Sequence, residues 1–168
     1  LLADFGAEVI KVEPPDKGDP MREWGRHRKN GRTLWWPIIA RNKKSVTLNL
    51  REREGQDLAR ELISGADVVV ENFRPGTMER WGLGYEDLSR INPGLVMVRV
   101  SGYGQTGPYK DQAAFGSIGE AMGGIRHVTG YPDRPPPRVG ISLGDSLAAT
   151  FGALGAATAL YNRETRGG

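Results

Sequence analysis

The run Ala66-Asp67-Val68-Val69-Val70-Glu71-Asn72 limits the possible fold more than any other stretch. Three adjacent valines favour an extended backbone, because β-branched side chains are crowded in a helix. An apolar run without alternation is the pattern of a strand covered on both faces, as in a parallel sheet. A covering helix is legible just before it. Leu58, Leu62 and Ile63 recur at helical spacing through residues 52–64, and Gly65 supplies the stop. Before that helix, Ser45-Val46-Thr47-Leu48-Asn49-Leu50 alternates with period two. Strand, helix, strand across residues 45–72 predicts a right-handed crossover unit and an α/β class.

The same grammar extends along the chain. Val9-Ile10-Lys11-Val12-Glu13 reads as a strand ended by Pro14-Pro15. Residues 16–42 are irregular and hold Trp24, Trp35 and Trp36 among charges, so this loop is expected to cover something. Its rings either pack on the sheet edge or line a pocket. Asn72-Phe73-Arg74-Pro75-Gly76 leaves the carboxyl end of the valine strand, where open α/β sheets bind ligands. Residues 77–81 and 85–91 read as short helices split by Gly82 and Gly84, and 95–100 as a fourth strand. The loop Ser101–108 after it is Gly-rich but lacks the spacing and the Lys of a P-loop. A helix is expected over 112–122, broken by Gly123-Gly124, then a short strand over 125–129 and a Pro-rich connector over 131–138. Residues 147–161, rich in Ala and Gly, read as a buried helix.

At 168 residues with 24 Gly, residues 1–168 fit one loop-rich α/β domain. Its first residues read as the last turns of a helix stopped at Gly6, and its last as another helix exit. The expectation is a domain truncated at both ends. Net charge is only +3. Basic residues gather between Arg22 and Arg53, either as a solvated loop or as an attractor for a polyanionic small molecule. No basic–aromatic reader motif accompanies them, which argues against nucleic acid. The absence of cysteine removes disulfides and thiol nucleophiles. The two histidines, His27 and His127, have no metal-ligand spacing, so no metal is expected. No apolar run reaches the roughly 20 residues of a bilayer span, so no membrane partner is expected, and a cytoplasmic location fits the cysteine count.

Two candidate nucleophiles lie in Arg138-Val139-Gly140-Ile141-Ser142-Leu143-Gly144-Asp145-Ser146. Ser142 sits in a Gly-x-Ser-x-Gly pattern, but prolines precede it where a strand is needed, and both histidines precede the serine. Asp145 lies at or near the start of the following helix. There, unpaired backbone N–H groups and the helix dipole favour negative charge. A carboxylate so placed can attack an activated carbonyl, and Gly144 leaves room for a substrate and for oxyanion donors. The same placement also suits a plain helix cap.

Four stretches resemble one family in order and spacing across the whole chain. They are residues 2–13 (Leu-Ala-Asp-Phe-Gly-Ala-Glu-Val-Ile-Lys-Val-Glu), residues 42–50 (Asn-Lys-Lys-Ser-Val-Thr-Leu-Asn-Leu), Glu71-Asn72-Phe73-Arg74-Pro75-Gly76, and Ser142-Leu143-Gly144-Asp145-Ser146. The chain is similar to the class III CoA-transferases, the CaiB/BaiF family of formyl-CoA transferase and carnitine CoA-transferase. The resemblance implies a Rossmann-like, mostly parallel sheet with flanking helices. It implies Asp145 as the nucleophile that attacks an acyl-CoA thioester, with a small carboxylic acid as acceptor and coenzyme A as substrate and product. It implies that Asn72 and Phe73 contact CoA, that Leu48 packs on its adenine, and that Arg80 pairs with a phosphate. Trp24, Gly144 and Phe115 would line the acyl site. Pro14 and Ala113 stand where formyl-CoA transferase has basic residues, so phosphate contacts are expected from Lys17, Arg41 or Lys110. The family forms interlocked homodimers, and a eukaryotic member could be mitochondrial or peroxisomal. α-Methylacyl-CoA racemases share the fold and add a His at the position of Phe115, so racemisation is the alternative activity and a non-catalytic CoA-binding protein the alternative of another class.

Overall fold

The computed structural model describes residues 1–167, and they form two compact units that divide after Gly65. In the first unit a 3-10 turn, Leu2–Phe5, ends at Gly6 with φ 99°, the left-handed stop expected from the sequence. Strand β1 (Val9–Glu13) follows, then a 3-10 turn Pro20–Glu23 whose N-terminus is capped by Asp19, Oδ1 accepting from Met21 N–H at 2.8 Å. The stretch expected to be irregular contains a small hairpin, β2 (Arg28–Lys29) and β3 (Arg32–Thr33). Asn30 and Gly31 form its turn with φ of 52° and 74°, the paired left-handed conformations that match strand twist. Helix α1 (Trp35–Ile39) leads into β4 (Lys43–Thr47), which pairs parallel with β1 in the register Val9↔Lys43 to Glu13↔Thr47. Helix α2 (Arg53–Ser64) ends at Gly65 as expected. Gly55 in its first turn is obligatory: a Cβ there would lie 2.1 Å from the Asn49 carbonyl oxygen.

The second unit opens with β5 (Val68–Glu71), followed by α3 (Thr77–Arg80), α4 (Tyr85–Ile91) and β6 (Val96–Arg99). β5 and β6 pair parallel, Val68↔Val96 to Glu71↔Arg99. The crossover thus runs through α3 and α4. The expected pairing of the 45–50 and 66–72 strands is not found; β4 pairs with β1 and β5 with β6. Strand and helix positions along the chain do not specify which strands become neighbours. Met78, Leu83, Leu88 and Leu95 are buried to 4% exposure or less and form this unit's core with Ala156.

Helix α5 covers Gly116–Met122, starting four residues later than expected. The reason is close packing: a Cβ on Gly102 would lie 2.4 Å from the Ala114 side chain, so Ala114 is pinned against the loop after β6. Residues expected as a strand are helical, α6 (Ile125–Val128), entered through Gly124 at φ 80°. Helix α7 (Leu143–Arg166) is longer than expected and is not buried. It packs on β6 and α5, with Gly152 facing Val98 and Ala156 fully covered. Leu147, Phe151 and Leu154 are exposed. Small residues therefore serve close approach on one face only. Contrary to the sequence expectation, α7 is long and apolar enough to cross a membrane. It is nonetheless tied into the second unit at its end: Arg163 donates to the Gly94 carbonyl at 2.9 Å and pairs with Asp67 at 2.7 Å.

Candidate active site

Asp145 is the third residue of α7 and is exposed to solvent. Ser142 occupies the N-cap position, so the plain-cap reading of Asp145 fails. No strand precedes Ser142, and the elbow pattern is therefore not an elbow. Glycine backbone lies against Asp145. A Cβ on Gly116, the first residue of α5, would lie 2.9 Å from Asp145 Oδ1. A Cβ on Gly144 would lie 3.0 Å from Gly116 Cα and 3.1 Å from its carbonyl oxygen. The starts of α5 and α7 thus meet backbone to backbone beside the carboxylate. Phe115, 82% exposed, is the N-cap of α5 and immediately precedes Gly116. The structure brings together Asp145, Gly144 and Phe115, which the sequence singled out, and adds Gly116, which it did not. Its only signal was a glycine opening a helix, where an ordinary residue would serve unless something lay against it.

The connector into α7 is anchored by Glu120 of α5, which is 2% exposed and accepts a hydrogen bond from Val139 N–H at 3.4 Å. Glu120 was also unanticipated.

Asn72, Phe73 and Arg80 belong to the same unit. Asn72 follows β5 directly, and the Asp145 site is reached from β6 through the Gly102–Ala114 contact, so both sets issue from the carboxyl edge of one parallel pair. Phe73 and Trp81 meet edge to face at 5.0 Å between ring centres. Arg80 donates to Thr77 Oγ1 at 2.8 Å, and Gly76 takes φ 81° beneath it.

Leu48 and Trp24 lie in the first unit. Leu48 follows β4 directly, and its N–H donates to the Glu13 carbonyl at 3.0 Å. At the carboxyl edge of β1 and β4 there is a cleft of about 260 Å³ lined by Glu13, Lys17, Arg22, Ser45 and Thr47 among others. Of the three substitute phosphate contacts expected, Lys17 lines this cleft, whereas Arg41 is engaged by Asp4 at 2.8 Å and Lys110 by Asp111 at 3.0 Å. Trp24 is 58% exposed, and Trp36 carries the guanidinium of Arg22 4.2 Å from its ring centre. Glu13, 2% exposed, accepts from Arg22 Nε at 2.7 Å, Arg22 Nη2 at 2.8 Å, Asp19 N–H at 2.8 Å and Ser45 Oγ at 2.7 Å. Arg22 above all, with the Asp19 N–H and Ser45, holds the Glu13 carboxyl down at about 2 against the penalty of burial.

Residues 1–168 match CoA-transferase family III from end to end. The chain belongs to that family. It is 72% identical to succinyl-CoA–D-citramalate CoA-transferase of Chloroflexus aurantiacus over 99% of its own length and 42% of that protein. It is 49% identical to the β subunit of succinyl-CoA–L-malate CoA-transferase from the same organism, again over 99% of this chain and 42% of that one. Among solved structures, a CaiB/BaiF family protein from Brucella suis superposes with a TM-score of 0.92 at 39% identity, covering 99% of this chain and 45% of that chain. The chain therefore spans less than half the length of the curated relatives it matches. The α/β architecture of parallel strand pairs with flanking helices is that of the CaiB/BaiF proteins.

Proposed function

We propose that the complete protein moves CoA from an acyl-CoA thioester to a free carboxylate, with Asp145 as the covalent nucleophile. The observation that carries this reading is the setting of Asp145 in a family III chain: an exposed carboxylate in the first turn of a long helix, flanked by glycine backbone that leaves its approach open. Asp145 attacks the thioester carbonyl through one oxygen, forming an acyl–aspartyl anhydride and releasing CoA thiolate. The thiolate attacks the aspartyl carbonyl, expelling the donor acid and leaving Asp145 as a CoA thioester. The acceptor carboxylate attacks that thioester, giving a second anhydride and free thiolate. The thiolate then takes the acceptor acyl group and returns Asp145 as a carboxylate. Each step exchanges one activated acyl group for another, so none is far uphill. In the first turn of α7 the Leu143 and Ser146 N–H groups donate to the Ile141 and Ser142 carbonyls, and those of Gly144 and Asp145 are the proposed oxyanion donors. Asn72, Phe73, Arg80 and Leu48 are the proposed CoA contacts, and Trp24, Gly144 and Phe115 the proposed acyl-site lining.

The names of the relatives favour succinyl-CoA as donor and a small 2-hydroxydicarboxylic acid as acceptor. Phe115 carries no proton-transfer group beside Asp145, which favours transfer over racemisation. The test is Asp145→Ala in the complete protein. Transfer from succinyl-CoA to citramalate or malate should vanish while CoA still binds, and hydroxylamine should trap a CoA-free acyl-enzyme in the wild type alone. Transfer retained by the variant, or α-proton exchange with deuterated water in place of transfer, overturns the assignment.

A further inference from the structure

The turn that carries Asn72 and Phe73 is held by a buried ionic relay, not by its own backbone alone. Glu71, the last residue of β5, is 5% exposed. Its Oε2 accepts the Phe73 N–H at 2.7 Å, and its Oε1 accepts Arg99 Nε at 2.7 Å. Arg99 is the residue directly across the sheet from Glu71. The remaining face of the same guanidinium is used by Glu79 of α3, whose oxygens accept from Nη1 at 2.6 Å and Nη2 at 3.2 Å. Glu79 precedes Arg80. One guanidinium thus fixes both ends of the segment from Asn72 to Arg80, and Glu79, then Glu71, holds its charge more firmly than usual.

This chemistry is more than a strand brace. A guanidinium offers its donors in a rigid planar fork, so pairing with two carboxylates dictates orientation as well as distance. Glu71 also spends one oxygen on the amide of Phe73, which fixes that backbone where the chain leaves the sheet. Burying Glu71 is costly unless its oxygens are hydrogen-bonded, and each oxygen has a donor here; a buried ion pair of this kind is often no more stabilising than an apolar replacement.

We infer that Glu71, Arg99 and Glu79 are positioning residues for the CoA site, setting the Phe73 backbone and the Arg80 side chain for the nucleotide half of the substrate. The inference rests on the reading that Asn72, Phe73 and Arg80 contact CoA. Glu71→Gln keeps the shape but substitutes an NH2 group for one acceptor oxygen. Glu79→Gln perturbs the relay from its half-exposed end, where folding is least at risk. Each variant of the complete protein is assayed with succinyl-CoA and with succinyl-N-acetylcysteamine, which keeps the thioester but lacks pantothenate, diphosphate and nucleotide. Loss of one charge-assisted hydrogen bond predicts a rise in KM for succinyl-CoA of about tenfold for Glu71→Gln. The rise should be smaller for Glu79→Gln, with kcat held within about twofold and KM for the truncated donor unchanged. Equal losses on both donors, or no change in KM for succinyl-CoA in either variant, overturn the positioning role. A wild type that uses both donors with the same KM overturns the CoA-contact reading itself.

Discussion

Glu13→Gln should expose how strongly the first unit depends on one carboxylate. In the fold, Glu13 receives four hydrogen bonds, two from Arg22, and its pKa falls from 4.5 to about 2. That drop is worth about 3 kcal/mol, since one pKa unit corresponds to about 1.4 kcal/mol. Its side chain is 1% exposed, so solvent screens the interaction little, whereas Arg22 is 38% exposed and would be rehydrated in the variant. The expected cost of Glu13→Gln at pH 7 is therefore about 2–3 kcal/mol. The sign with pH follows from the depressed pKa. The stabilisation is complete above 4.5, the unfolded value, and is lost as pH falls through about 2. Urea unfolding of wild type and variant, followed by tryptophan fluorescence from pH 7 to pH 2, measures it. The gap between the two should be widest at neutral pH and close between pH 4.5 and 2. A gap that stays constant with pH, or one below about 1 kcal/mol at pH 7, refutes the reasoning.

Two further substitutions separate catalysis from folding. Gly116→Ala puts a methyl group 2.9 Å from Asp145 Oδ1, and a carboxylate can swing aside more easily than a backbone. Stability should change by less than about 1 kcal/mol while kcat falls at least tenfold by misplacing the nucleophile; an unchanged kcat would remove Gly116 from the site. Gly55→Ala lies inside a helix, where alanine is normally favoured by about 1 kcal/mol. Here its Cβ would strike the Asn49 carbonyl oxygen at 2.1 Å, so thermal melting should show a loss instead of a gain.

Strands and helix stops were legible because their causes are local. The 9–13, 45–50 and 66–72 segments carry β-branched residues, and Gly6 and Gly65 mark the ends of the Leu2–Phe5 turn and of α2. The Asn30-Gly31 hairpin is equally local, its turn marked by the Asn-Gly pair, but its strands are only two residues each and carry no alternating pattern. Partner choice was different. Nothing in residues 45–72 says that their two strands pair elsewhere, because pairing depends on residues far along the chain. The buried glutamates were hidden for the same reason. Glu13 and Glu71 each end a strand and look like solvent-facing charges; their arginines stand 9 and 28 residues further on. Asp145 was singled out by its motif, whereas the glycine that lies against it belongs to another helix. Residues 125–129 misled because Ile, Val and Thr favour strands, yet Gly124 at φ 80° opens a short helix there.

The junction of α5 and α7 has a bearing on how such a site can diversify. Gly144 meets Gly116 through main-chain atoms alone, so the backbone under the proposed nucleophile is set by main-chain geometry and has few ways to drift. Phe115 stands one bond away, almost fully open to solvent. If Phe115 lines the acyl site as proposed, a change there alters the chemistry offered to an incoming acid without displacing the backbone beneath it. On the proposed mechanism, the backbone under the attacking group is thus held while its surroundings remain free to be exchanged, which is the condition for one transfer reaction to serve many carboxylic acids.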